Sequence, residues 1–512
     1  MMGNRGRPAK AVGLMMLITL SGKALGLIRD RLLTVNFGSG MEANAFLTAS
    51  RIPRVFFDAI FASAITASFI PVFNEYIVKK SKRDSYSLAG SFLAIMLLAS
   101  AVFTVIGIVF APELSYFFAD GYDAETSALT AMLTRIMFPT VIFTAVTYSF
   151  VGILQSFNEF NLPAFISVVS NALIILYFLT LNDRFGIVGL AVAFLVAWLL
   201  QALVQIPWLV KKRVRLRLTG GSSREGLKKI FKLMLPVIVS TWVLPVNQTV
   251  NSKFGSRLFD GAGVSAIELS YNLYTIIVGV FVLSVTNFIF PHMSRAAAGS
   301  DYKGLRDTMR SSVHTALFFV FPMMAGLMAI SQPLVEFIYG GGEFGTFSVM
   351  ITSRALFYVS LGMAGYAVQA VITRAYFAEQ KGSVPLISGL VSIAVNVGLC
   401  ALLFEKFDVA GIAAASAAAS TVNGLILVIP LKKRGLSFVN AEFLKDSAKM
   451  LLASAVTGGF VYFIHTLLSG TGNLISIIIS VISGILIYFA LTYVLKVSEA
   501  KLTAEILMKR QV

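Results

Sequence analysis

The chain has 512 residues, 57% of them hydrophobic and only 13% charged, with a formal net charge of +17 and a mean hydropathy of +0.82. So apolar a composition excludes an ordinary soluble domain, and apolar stretches of about 20 residues recur along the whole length, which reads as a polytopic α-helical membrane protein. The charge does not point to nucleic acid, because the cations cluster in short loops between apolar runs, as the positive-inside rule expects.

Fourteen spans are predicted, at about 11–35, 44–73, 86–110, 128–154, 162–181, 186–210, 233–252, 265–291, 312–331, 347–373, 384–403, 409–430, 449–468 and 473–495. The first starts like a signal peptide, basic and then apolar. No A-x-A site follows and the apolar run continues, so it reads as an uncleaved span. That run passes straight into SGKALGLIRDRLL at 21–33, which carries Lys23, Arg29, Asp30 and Arg31. Lys23 lies 12 residues past Ala11, about 18 Å into the span and near the bilayer middle. A charge at that depth costs about 2.5–3.5 kcal/mol on insertion scales. Arg29 and Arg31 can snorkel to the boundary; Lys23 does so poorly.

The second span adds Asn44, Arg51, Arg54 and Asp58, which share one helical stripe, and Pro53, which is expected to interrupt the helix among them. Two readings of Arg54 and Asp58 stay open: an ion pair that neutralises itself, or part of a site. The seventh span carries Asn247, Gln248 and Asn251, which read as interhelical hydrogen-bond partners or as lining. The eighth carries the milder polar stripe Glu268, Asn272 and Thr275. Arg135 and Arg354 lie near span ends and read as structural. Over the first two spans Lys23, Arg29, Arg31, Arg51 and Arg54 outnumber Asp30 and Asp58. A cavity with surplus cations invites an anion.

The loop cations set an orientation. One side holds Arg5, Arg7, Lys10, the Lys79–Arg83 cluster, the basic segment 211–232, Arg295 to Arg310, Lys432 to Arg434 and the C-terminal lysines. The other holds Arg184, Lys253, Arg257 and Lys406, with an acidic loop at 111–126. Both termini are therefore expected in the cytoplasm, which requires an even number of spans. Segment 211–232 reads either as a plain basic loop or as an interfacial amphipathic helix.

The chain also repeats itself. Segments from Leu162 and Val384, Phe185 and Phe407, Ile206 and Val428, Phe69 and Ile289, and Pro112 and Gln332 match in pairs about 220 residues apart. Six spans separate equivalent points, so the two halves share orientation, and such bundles usually enclose a site near the midplane. The expected architecture is a six-helix bundle at 1–210, a basic linker at 211–232, a second six-helix bundle at 233–434, and two further helices with a tail at 435–512. Cys400 is the one cysteine, so no intrachain disulfide is possible, and His292, His314 and His465 lack metal-ligand spacing. No Walker A loop or catalytic constellation appears, so no cofactor and no enzymatic activity are expected. Transport would be driven by a gradient, the membrane potential or a partner.

The stretches SGKALGLIRDRLLTVNFGSGMEANAFLTASRIPRVFF, LQSFNEFNLPAFISVVSN, FPHMSRAAAGSD and FIYGGGEFG resemble the MurJ (MviN) lipid II flippase family of the MOP superfamily, and the likeness covers nearly the whole chain. The resemblance implies a MATE-like fold of six, six and two helices in the bacterial cytoplasmic membrane. It implies movement of undecaprenyl-pyrophosphoryl-disaccharide-pentapeptide to the outer leaflet by alternating access, a cationic cavity for the pyrophosphate, and a lipid-tail groove on the last two spans. The motif match carries cationic sites onto Lys23 and Arg29, and Arg51 and Arg54 are expected to join them. Asn44, Asp58, Glu268 and Asn272 are expected as polar or coupling positions. The chain departs from the family at Asn44, where an acid is frequent, at Phe57, Asp58 and Ala62, where an Arg pair and a Glu are frequent, and at Asn272, which replaces an Arg. The competing readings are a flippase for another polyprenyl-pyrophosphate oligosaccharide and a cation-coupled drug antiporter. The antiporter expects acids where this chain has surplus cations.

Overall fold

The computed structural model describes residues 6–214, 216 and 224–500. The described residues form helices and no strand, with one isolated β-bridge between Gly341 and Phe344. The chain divides into two compact units, Met1–Val264 and Ser265–Val512.

In the first unit, α1 (Gly6–Phe37) runs unbroken through the charged stretch. It ends at Gly38, whose φ of +60° suits the left-handed helix terminus that glycine adopts without strain. Helix α2 (Met41–Ala64) continues through Pro53, contrary to the expected interruption. Proline removes one backbone donor, a loss that local adjustment absorbs in packed membrane helices. The irregularity falls later, in a π turn at Ile65–Phe69 that leads into α3 (Ile70–Lys79). Ser81 caps α4 (Lys82–Val109) by accepting from the Asp84 amide at 3.1 Å. A short α5 (Ala111–Phe118) lies in the acidic loop. Helices α6 (Ala124–Met137) and α7 (Thr140–Ser156) form the expected fourth span, interrupted at Phe138 and Pro139. Next come α8 (Asn161–Thr180), α9 (Asn182–Leu203) and α10 (Ile206–Lys211). The seventh span is split into α11 (Arg224–Thr241) and α12 (Val243–Gly255). Its packing partners within this unit include α2 and the π turn. Phe69 stacks between Phe73 and Phe92, with centroids 5.1 and 4.7 Å away, in the fully buried core. In lipid such packing, rather than water exclusion, holds helices together.

The second unit begins within α13 (Ala262–Ala298) and continues through α14 (Tyr302–Ala329), α15 (Ser331–Tyr339) and α16 (Thr346–Ser360). A 47° bend joins α16 to α17 (Met363–Ala378). The 51 residues of α18 (Ser383–Lys433) would span about 76 Å if straight, far more than a bilayer core of about 30 Å. A break at Asp408, with φ +52° and ψ −137°, resolves this into the two expected spans. Gly365 of α17 abuts α18 so closely that a Cβ there would lie 2.5 Å from the Thr421 Cα, the close backbone approach small residues permit. Helices α19 (Ala441–Leu467) and α20 (Asn473–Val494) complete the unit.

All fourteen expected spans fall on helices. Among the described residues eight helices, or nine counting the bent pair as one, meet a strict length and apolarity criterion for crossing a membrane. The repeat is written in the backbone too. Asn158 and Gln380, Gly186 and Asp408, and Arg213 and Gly435 all have positive φ, and each pair is 222 residues apart. These are the turns that end equivalent helices, so the two units share their punctuation as well as their sequence.

Candidate functional site: cations of the first two helices

Small residues bring α1 against α8. Gly22 and Gly26, four apart, form a small-xxx-small face. A Cβ on Gly22 would fall 2.4 Å from Ser167 Oγ, and one on Gly26 would fall 3.7 Å from Asn171 Nδ2. The close approach lets the Asn171 side chain do two things at once. Its Nδ2 donates to the Gly22 carbonyl at 3.0 Å, and its Oδ1 accepts from Arg29 Nη1 at 3.1 Å. The Arg29 guanidinium also donates from Nε and Nη2 to Asp30 Oδ1, at 3.0 and 2.7 Å. Arg29 is thus aimed by two partners of different chemistry, with Asp30 balancing its charge. Asn171 escaped the sequence reading; a lone amide inside the apolar run SVVSNALII is its only local signal.

Lys23, half-buried beside Gly22, makes no hydrogen bond or ion pair among the described residues. Its ammonium is compact and strongly hydrated, with three donors that no described residue takes up.

On α2, Arg51 is only 8% exposed and its Nη1 donates to the Gln248 carbonyl of α12 at 3.2 Å. Asn44, fully buried, donates from Nδ2 to the Ser39 carbonyl at 2.8 Å. The Tyr122 hydroxyl lies 2.8 Å from Thr48 Oγ1 and donates to the Asn44 carbonyl at 3.1 Å. One polar seam therefore joins α2 to the acidic loop and to α12. Arg54 is exposed, one turn from Arg51. The side chains of Asp58, Phe57 and Ala62 lie outside the described residues.

The cations at 253 and 257, exceptions to the charge asymmetry, have a local explanation. Asp120 of the acidic loop accepts a forked pair from Arg257, at 2.9 and 2.7 Å, and lies 3.3 Å from Lys253. Gly121 donates to Ser256 Oγ at 3.1 Å, and no side chain fits at 121 because a Cβ would sit 2.5 Å from the Arg257 backbone. Burial pushes the Asp120 carboxyl up, but the bonds from Arg257 and Lys253 outweigh it and hold the group below the usual carboxylate range. At the opposite end of the same span, Lys229 of α11 pairs with Glu75. Both ends of the seventh span are thus tied by charge to other elements of the first unit. Asn251, buried on α12, lies between the two ties along the chain.

In the second unit Glu268 and Asn272 are half-buried on α13, and Thr275 donates to the Asn272 carbonyl at 3.1 Å. Arg374 of α17, absent from the sequence reading, is half-buried with its guanidinium 5.6 Å from the centre of the Phe290 ring. Arg354, in the middle of α16, reaches Asp408 at the break of α18 at 3.7 Å, and Arg135, near the end of α6, donates to the Ile108 carbonyl at 3.4 Å. Among the described residues no three His, Cys, Asp or Glu converge as a metal site.

Known proteins resemble this chain over nearly its full length. The family model for the lipid II flippase MurJ matches residues 34–483. A probable lipid II flippase MurJ from Bdellovibrio bacteriovorus is 26% identical over 96% of this chain and 95% of that protein. The lipid II flippase MurJ of Burkholderia cenocepacia is 25% identical over 87% and 88%. Among solved structures, a lipid II flippase MurJ in an inward closed conformation aligns with a TM-score of 0.78, at 25% identity, covering 94% of this chain and 98% of that one. An inward-facing multidrug resistance MATE family transporter of the MOP superfamily aligns at 0.68 and 16% identity, covering 83% of this chain and 98% of that one, a likeness of fold alone. With its all-helical, internally repeated fold and a family match across most of its length, the chain is a multi-pass membrane protein that belongs to the lipid II flippase MurJ family.

Proposed function

We propose that the chain moves lipid II across the cytoplasmic membrane of a bacterium, with Lys23, Arg29, Arg51 and Arg54 receiving the pyrophosphate. The relatives' names supply the cargo. The observation that carries the site is Lys23: a half-buried ammonium deep in α1 with no partner among the described residues. An uncompensated cation there is costly unless something anionic visits it. A pyrophosphate dragged bare through hydrocarbon is costlier still, and the two penalties cancel when the groups meet. Arg29, aimed by Asn171, offers forked hydrogen bonds, and Lys23 a compact charge. Asn44, Asp58, Glu268 and Asn272 are the polar positions that accompany the cycle of exposure to one leaflet and then the other. The direct experiment is rescue of a bacterium depleted of its own lipid II flippase. Growth restored by a correctly inserted chain supports the reading. Failure to restore it, with rescue instead of a strain lacking another polyprenyl-pyrophosphate oligosaccharide flippase, would move the cargo to that class.

The orientation belongs to the same proposal: termini in the cytoplasm and the 111–126 loop outside, from the cation asymmetry. Tyr116 and Lys228 are both exposed. Cysteines placed there, with the native Cys400 buried, are expected to react oppositely with a membrane-impermeant thiol reagent on intact cells. Position 116 should label and 228 should not; the reverse pattern sinks the orientation.

A further inference from the structure

The first unit carries an apolar groove of about 530 Å³ between α8 and α9, on a surface where Leu176, Phe185 and Val192 are exposed. It lies on spans to which the cation site assigns no role beyond Asn171. Its walls include Leu173, Tyr177, Leu181, Phe185, Val192 and Val196. From Phe185 to Val196 the α9 wall rises about 16 Å, close to half of a hydrocarbon core of about 30 Å. The groove therefore runs from the membrane boundary at the Leu181 turn to the bilayer middle, the depth of one leaflet. Its upper end is fixed in place. Gly186 breaks α9 with φ +51°, Tyr177 donates its hydroxyl to the Gly186 carbonyl at 2.6 Å, and Gly189 has no room for a Cβ, which would sit 2.4 Å from the same hydroxyl.

At that end stands Arg184. It lies on the cation-poor side of the protein. Lys253 and Arg257 on that side are taken up by Asp120. Arg184 is in no ion pair among the described residues, and neither is its neighbour Asp183; the Arg184 guanidinium rests 5.4 Å over the Phe185 ring that begins the groove. An exposed cation stacked at headgroup depth above an apolar slot one leaflet deep matches an amphiphile with an anionic head and a hydrocarbon chain.

We propose that this groove holds one acyl chain of an anionic glycerophospholipid in the leaflet at the 111–126 end, with the lipid phosphate at Arg184. This lipid is distinct from the transported cargo, and its site is independent of the pyrophosphate site.

The test uses the full chain in nanodiscs doped with phosphatidylglycerol or phosphatidylcholine bearing a diazirine at the chain terminus. Photolysis and peptide mapping read the adducts. Adducts of the phosphatidylglycerol probe are expected to concentrate on 173–196, above the level on α4, whose Leu98, Val102 and Val105 are exposed and to which no lipid site is assigned. Arg184→Gln is expected to lower that labelling about fivefold, as loss of one interfacial cation does, and to lower the phosphatidylcholine probe less, because its choline offsets the phosphate charge. Val192→Trp, which fills the slot, should abolish it. The wild-type map decides even if a variant misfolds. Labelling of 173–196 no stronger than of α4, equal labelling by the two probes, or displacement by excess undecaprenyl phosphate with no effect of excess phosphatidylglycerol would each overturn the proposal.

Discussion

Transport is expected to fall sharply when Lys23 becomes Ala, with the protein still made and inserted. Removing one charge-assisted contact costs about 1.5–3 kcal/mol, which is a loss of about tenfold to a hundredfold in rate if the contact is made while the pyrophosphate crosses. Lys23→Arg should keep much of the activity, because the charge and depth are retained. Lys23→Glu should fall below Ala, because it repels the cargo. A structural Lys23 held by an acid predicts something different. It would be rescued by removing that acid as well, with Asp30→Asn or Asp58→Asn as the second change. Asp30 already accepts two bonds from Arg29, and Lys23 has no such contact among the described residues. The double variant with Asp30→Asn is therefore expected to stay inactive, and an anion site at Lys23 requires the same of the one with Asp58→Asn. Wild-type transport in Lys23→Ala, or recovery in either double variant, would remove the anion site from this position.

The largest expected effect on folding is in the second unit. Gly365→Leu puts a branched side chain where a single Cβ would already lie 2.5 Å from the Thr421 Cα and 2.7 Å from its backbone nitrogen. Neither atom can rotate away. On the other side of the contact, a Cβ on Gly424 would lie 2.9 Å from the Gly365 carbonyl oxygen, so α17 and α18 cannot slide apart along the seam without losing it. Overpacking of this kind costs about 1–3 kcal/mol and more when backbone must move. The variant is expected to lose its monodisperse peak on detergent size-exclusion and to melt at lower temperature. Gly398→Leu, on α18 where open space surrounds the Cβ position, should leave both unchanged. An unaltered melt for Gly365→Leu would show that the α17–α18 contact yields more easily than its geometry implies.

The helices and their order were legible because hydrocarbon imposes one rule: every backbone group must be satisfied within its own segment. Apolar runs of the right length therefore mark helices directly, and the break at Asp408 falls between the two runs on either side of it. The repeat was legible for the same reason that its turns recur, since the segments at Phe185 and Phe407 contain the left-handed residues Gly186 and Asp408. Pro53 misled because proline's cost depends on neighbours that a single chain segment does not reveal; α2 runs through it and relaxes at 65–69. The cations on α1 and α2 stood out as charges in apolar runs. Their partners did not. Asn171 lies 142 residues from Arg29, and Asp120 lies 137 from Arg257. Only packing brings such groups together, and periodicity is silent about packing between distant segments. Arg374 was passed over because it sits where an apolar run ends, a place where basic residues are common.

Lipid II is proposed to cross the membrane through this chain on its α1 cations. The most direct measurement reconstitutes the purified protein in liposomes with lipid II labelled on its peptide, and follows the fraction that an external reagent cannot quench. Rapid equilibration of the label between leaflets is expected with the wild-type chain. Slow leakage, close to that of protein-free liposomes, is expected with Lys23→Glu. Equal rates for the two proteins, or no transfer by a wild-type chain that is folded and correctly inserted, would rule out passage on the α1 cations.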